Sequence, residues 1–120
     1  METKNQAFFR TFNEAFVKGD IEKILASVTD DIVWRMVGSD TINGIEALTQ
    51  ALTGMDNDSD FELEIEHMIT HGKEAAVNGM IHSTNSDGEQ KHYSFCDIYR
   101  LNKHKDGKIK EIISYVLEVH

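Results

Sequence analysis

The chain has 120 residues, with 12 Lys and Arg against 21 Asp and Glu, and its formal net charge of −9 repels nucleic-acid phosphates and anionic membrane surfaces. Its length fits one domain spanning residues 1–120 with one core, its single cysteine, Cys96, permits no internal disulfide, and no apolar run approaches membrane-spanning length. The N-terminal METKNQAFFR lacks the apolar stretch of a secretory signal, so the expectation is a cytoplasmic protein with neither nucleic-acid nor membrane partners.

Phe8, Phe12, Ala15 and Phe16 share one helical face, and Gly19 supplies a stop. Asp20 then caps a second helix carrying Ile21, Ile24, Leu25 and Val28, which Thr29-Asp30-Asp31 ends. Ile32 to Val37 reads as a short strand containing Trp34. Asn43 with Glu46 three residues on resembles a capping box, opening a third helix with Ile45, Leu48 and Leu52. Residues 54–60, GMDNDSD, read as loop.

From there the period becomes two. Phe61, Leu63, Ile65, His67 and Ile69 alternate with Glu62, Glu64, Glu66, Met68 and Thr70, as in a half-buried strand. Three more strands follow, at about 74–84, 89–103 and 107–119, separated by His71-Gly72-Lys73, Ser86-Asp87-Gly88 and Lys105-Asp106-Gly107. The plan is α+β: helices on one face of a sheet whose last four strands form an antiparallel meander.

Two-residue turns at Gly72-Lys73, Asp87-Gly88 and Asp106-Gly107 would fix the register. His67 then faces Asn78, Ile65 faces Met80, Asn78 faces Asp97, Met80 faces Phe95, His82 faces Tyr93, Asp97 faces Val116 and Tyr99 faces Ser114. A one-residue slip would turn a whole strand over. In this register the row His67, Asn78, Asp97, Val116 points at the helices, together with Leu63, Ile65, Met80, Phe95 and Tyr99. An ionised, unpaired carboxylate is too costly to bury, so Asp97 is expected in a satisfied structural network or at a cavity where it has a role. The other face carries Val77, Ile81, Cys96, Ile98, Ile113, Tyr115, Leu117 and Val119, an apolar surface that reads as a homodimer interface.

Two long stretches resemble a known family. FNEAFVKGDIEKILASVTDDIVWRMVGSDTINGIEAL, residues 12–48, is similar to the N-terminal half of SnoaL-like proteins of the nuclear transport factor 2-like superfamily, and CDIYRLNKHKDGKIKEIISYV, residues 96–116, to their closing hairpin. The resemblance implies N-terminal helices packed in a curved, mostly antiparallel sheet, forming a cone with a deep apolar pocket and dimers through the sheet. It also implies relatives among polyketide cyclases, ketosteroid isomerases and limonene-epoxide hydrolases. By that resemblance Asp97 stands where ketosteroid isomerases keep a protonated aspartic acid, but Arg35 replaces their general-base aspartate and Phe12 their oxyanion tyrosine. The catalytic arginine and aspartates of the epoxide hydrolases are matched by Asn78, Met80 and Ser114. SnoaL-type cyclases imply a proton-moving aspartate with a histidine near it, a part Asp97 could play with His82 or His67.

A carboxylic acid in an apolar cone has its charged form disfavoured and can serve as acid or base near neutral pH. The expectation is a pocket for a small hydrophobic, carbonyl-bearing molecule, with isomerisation or aldol-type cyclisation as its chemistry. Asp97 would be acid/base, Asn78 or His67 its orienter, and His82 or Tyr93 a second hydrogen-bonding group. Trp34, Met36, Met80, Tyr93, Phe95, Tyr99, Ser114 and Val116 would line the pocket. The alternative is a non-catalytic ligand-binding or dimeric accessory protein. No cofactor or metal is expected. His67 and His71 would be about 13 Å apart along a strand, and the acidic run Asp56-Asn57-Asp58-Ser59-Asp60 lacks the glycine and closing glutamate of a calcium loop.

Overall fold

Thr3 opens helix α1 (Lys4–Lys18) through a reciprocal capping box with Gln6, and Gly19 closes it at φ 72°, a left-handed conformation that favours glycine. The structure, a computed structural model, describes residues 2–54 and 60–120. The expected loop at 54–60 and the acidic run within it therefore fall almost wholly outside the described residues. The buried stripe of α1 is centred on Phe9, Phe12, Asn13 and Ala15, while Phe8 and Phe16 are half-buried.

Asp20 caps α2 (Ile21–Ala26), accepting from the Lys23 N–H at 3.2 Å. The helix stops two residues earlier than expected. Val28 instead begins β1 (Val28–Met36), where it pairs with Ile109 and takes in Thr29-Asp30-Asp31. That pairing is made across most of the chain, so a local reading could not see it. A short strand, β2 (Thr41–Asn43), was not expected; it pairs with β1, with Ile42 opposite Trp34. Asn43 is thereby used in the sheet. The cap of α3 (Ile45–Thr53) falls on Gly44, which gives no side-chain hydrogen bond, so the expected capping box does not form.

The remaining strands are β3 (Asp60–His71), β4 (Glu74–Thr84), β5 (Gln90–Leu101) and β6 (Ile109–Val119), close to the expected meander. The six strands run in the order β2-β1-β6-β5-β4-β3, antiparallel throughout except that β1 lies parallel to β6. The helices cover one face. Phe9, Phe12, Ile24, Ile32, Leu48, Val77, Tyr99, Leu101, Ile109 and Ile112 form a core there, and each large side chain fully buried contributes about 1.5–3 kcal/mol.

The three hairpins differ from the expected register in three ways. Between β4 and β5, Asn85 N–H donates to the Glu89 carbonyl at 3.0 Å, enclosing three residues instead of two, with Gly88 at φ 81°. The Asn85 side chain secures this turn, accepting from the backbone of Asp87 and Glu89 at 3.0 and 2.9 Å. The extra residue places Val77, not Asn78, opposite Asp97 and turns β4 over. Asn78, Met80 and His82 therefore face outward, while Val77 and Ile81, expected on the outer surface, point to the helices. Between β5 and β6 the shift is two residues, setting Asp97 opposite Ser114 and Tyr99 opposite Ile112. An even shift preserves the face, so Ser114 and Val116 stay inward. Between β3 and β4, His67 does face Asn78, but a bulge at Glu66 then sets Ile65 opposite Gly79 instead of Met80. A Cβ on Gly79 would lie 2.0 Å from the Glu64 carbonyl oxygen, so only glycine lets the bulged strand pass this close. The bulge keeps Leu63 and Ile65 inside and puts His67 outside.

Candidate functional site

Helices and sheet do not meet completely. Between them lies a cavity of about 560 Å³, walled by Phe12, Phe16, Trp34, Met36, Leu48, Leu52, Leu63, Ile81 and Phe95. Half-exposed Val37 and Val116, with Gly38 and Ser39 of the β1–β2 turn, continue the wall out to solvent. Polar groups enter it at only a few points: Asn13, Ser39, Asp97, Tyr99 and Ser114. Among the described residues that line it, Asp97 is the only acid, and no Lys, Arg or His is present.

Asp97 is 9% exposed and is not left unpaired. Its Oδ2 accepts from the Tyr99 hydroxyl at 2.9 Å, and the Ser114 hydroxyl bonds the same carboxyl group. Strand geometry delivers both: Ser114 is the cross-strand partner of Asp97, and Tyr99 is its neighbour two residues on, on the same face. Each is held from behind. Trp34 Nε1–H donates to Ser114 Oγ at 2.9 Å, leaving the serine proton free for Asp97. Asn13 Nδ2 reaches the Tyr99 oxygen at 3.2 Å and also donates to the Phe9 carbonyl at 2.9 Å, which fixes its orientation on α1. The chain Trp34–Ser114–Asp97–Tyr99–Asn13 thus joins β1, β6, β5 and α1 and converges on one carboxyl group.

Burial dominates the electrostatics. It pushes the Asp97 carboxyl above the ordinary carboxylate range, against the opposing pull of the Ser114 and Tyr99 hydrogen bonds. Tyr99 is driven well above the usual phenol range by burial first, then by the adjacent Asp97 charge. It stays a neutral donor. Cys96, on the opposite face, is raised by burial and more weakly by Asp97. A carboxyl group in this state can donate a proton, or a hydrogen bond, to a ligand in the cavity and take one back.

Of the residues expected at the site, Asp97, Trp34, Met36, Phe95, Tyr99, Ser114 and Val116 line the cavity. Met80, Asn78, His82 and His67 do not, because the three-residue turn and the Glu66 bulge carry them to the outer face. His67 Nδ1 and Asn78 Oδ1 meet at 2.9 Å, the expected neighbours on the unexpected side. Tyr93, opposite Ile81 on β5, stands beyond the cavity wall. Asn13 was missed, although a polar residue four positions after Phe9 lies within the apolar stripe of α1 and gave a readable signal.

Residues 9–112 match the profile of the SnoaL-like domain family. No curated protein matches the chain. Among solved structures, an M. tuberculosis LEH-like epoxide hydrolase superposes with a TM-score of 0.78 at 20% identity, covering 92% of this chain and 80% of that one. A ketosteroid isomerase-like protein from Erwinia carotovora atroseptica gives 0.69 at 21% identity, with 92% of each chain covered. The epoxide hydrolase/cyclase-like enzyme SalBIII, with a role in pyran ring formation in the polyether salinomycin, gives 0.79 at 19% identity, over 95% of this chain and 91% of that one. At such identities the likeness shows the fold, which is the nuclear transport factor 2-like one.

Proposed function

The chain belongs to the SnoaL-like domain family, and on that footing we propose that it takes a small hydrophobic, carbonyl-bearing molecule into the cavity and moves a proton on it through Asp97. The reading rests on one observation: a single acid, raised above its ordinary range by burial, set in an otherwise apolar wall between two hydroxyl donors. Neutral Asp97 hydrogen-bonds the ligand carbonyl and favours its enol; the carboxylate form removes or returns the α-proton. Tyr99 and Ser114 hold the carboxyl group in place of the histidine and amide expected from the sequence. Isomerisation and aldol-type cyclisation both fit this chemistry. The cavity holds no cationic group among its described lining residues, which favours uncharged ligands.

A second reading, a binding module without turnover, is favoured by the lack of a second acid or base beside Asp97. The two separate cleanly. A thermal-shift screen of hydrophobic ketones and enones finds ligands in either case; one at a hundred times its Kd adds about 2.7 kcal/mol of stability. Solvent deuterium then enters the α-position of a hit only if the chain is a catalyst. Asp97→Asn is expected to abolish that exchange while leaving binding in place, and exchange at an unchanged rate would remove Asp97 from the mechanism.

The proposal extends to a homodimer working in the cytoplasm. Along the last two strands the outer sheet face exposes Ile98, Tyr115, Leu117 and Val119, an apolar surface of the kind that marks interfaces. Free Cys96 suits a reducing compartment. Among the described residues no helix is long and apolar enough to cross a membrane. Leu117→Arg should shift sedimentation equilibrium from two copies to one, and an unchanged mass would place any interface elsewhere.

A further inference from the structure

The overturned strand β4 brings together groups that no spacing along the sequence suggests. His82 and His92 are direct cross-strand partners on the outer face, with ring centroids 4.9 Å apart and planes at 71°. Their Nδ1 atoms are 2.7 Å apart. The other nitrogen of His82, Nε2, lies 3.1 Å from Oε1 of Glu64 on β3. A concavity of about 420 Å³ surrounds them, also lined by Asp60, Glu62 and Gln90.

We propose that this cluster is a two-histidine chelate for a divalent transition-metal ion, copper(II) above others, with Glu64 as its outer support. Tautomers come first. A carboxylate only accepts, so His82 carries its proton on Nε2 and presents a lone pair at Nδ1. The proton between the two Nδ1 atoms then belongs to His92. His82 is already in the form a ligand needs, with its far N–H fixed on a carboxylate, the arrangement that orients metal-bound imidazoles. Metal entry asks His92 to shift its proton from Nδ1 to Nε2 through solvent and to swing its lone pair toward a shared point. That shift neither gains nor loses a proton.

Ligand chemistry selects the ion: copper(II) heads the affinity order for nitrogen ligands. The 2.7 Å between the Nδ1 atoms is the length of the hydrogen bond the rings share, and it puts two ring nitrogens of β4 and β5 within reach of one ion once that proton leaves. Among the described residues no group of three or more His, Cys, Asp or Glu side chains converges on one point. The chelate is therefore open, its other positions going to water, with Asp60 and Glu62 and the net charge of −9 attracting a cation to it.

The test is calorimetric titration of the full chain with CuCl2, ZnCl2 and MgCl2, with electron paramagnetic resonance on the copper sample. The expected result is one copper per chain bound at least tenfold tighter than zinc, no magnesium binding, and a spectrum showing two imidazole nitrogens. Glu64→Gln should weaken binding about tenfold. His82→Ala and His92→Ala should each weaken it more, with circular dichroism unchanged. Absence of saturable copper binding would overturn the proposal. So would binding that survives His92→Ala but is lost with His71→Ala or His120→Ala.

Discussion

The two faces of the β3–β6 sheet are made of alternate residues of the same strands, yet they treat polar groups oppositely. On the inner face a single acid, Asp97, is withdrawn from water, and two hydroxyls on β5 and β6 converge on it, each braced by a residue of β1 or α1. On the outer face His67, Asn78, His82, His92 and Glu64 pair in twos and threes near solvent, beside exposed apolar side chains. The contrast separates two ways a sheet can build a site. Dehydration raises one carboxyl group above its ordinary range; proximity to water leaves several polar groups paired in the open.

The largest expected difference between the faces is catalytic. Asp97→Asn should cut turnover of any substrate found by about 10²–10⁴, whereas His67→Ala, across the sheet, should leave it unchanged. Steady-state rates check both. Stability comes next. Ile112→Ala, fully buried, should cost about 2–5 kcal/mol in urea unfolding. Ile69→Ala, 65% exposed, should stay within about 0.5 kcal/mol. Equal losses would mean that the outer face is as enclosed as the inner. Trp34→Phe removes the N–H that Ser114 accepts together with part of a buried ring, so its cost should exceed the about 0.5–1.5 kcal/mol of the hydrogen bond alone by the same measurement.

The smallest effect is on pH dependence. Because the folded Asp97 is raised above its ordinary 3.8, the native state binds more protons than the unfolded chain between those two values. Its contribution to stability is full below 3.8 and is lost as pH rises through the raised value. Asp97→Asn should flatten that decline in a series of thermal melts. A decline of undiminished slope would assign it to another group.

Much of this fold was legible because it is written in local chemistry. Gly19 and Asp20 mark a helix end and the next helix start, and the alternation from Phe61 onward marks strands. Phe95, Asp97 and Tyr99 were placed inward, and with them Ser114 and Val116, because the error in the last turn was an even number of residues. What was not legible depended on odd counts. One extra residue in the Asn85–Glu89 turn and one at the Glu66 bulge removed Asn78, Met80, His82 and His67 from the expected pocket. The turn is held locally, by an Asn85 side chain bonded to backbone two and four residues on, but the bulge depends on a glycine at position 79 yielding space to a neighbouring strand. The closing of Trp34 onto Ser114 needed β1 to lie parallel to β6, a pairing no adjacent turn announces.

The most direct test follows the carboxyl carbon of Asp97 itself by NMR, from acid to neutral pH, in the folded chain. The account predicts a midpoint above the ordinary 3.8, moving higher still in Tyr99→Phe, where one stabilising hydroxyl is lost. A midpoint at or below that ordinary value would contradict it, since the group would then be well solvated and the cavity no place for acid/base chemistry.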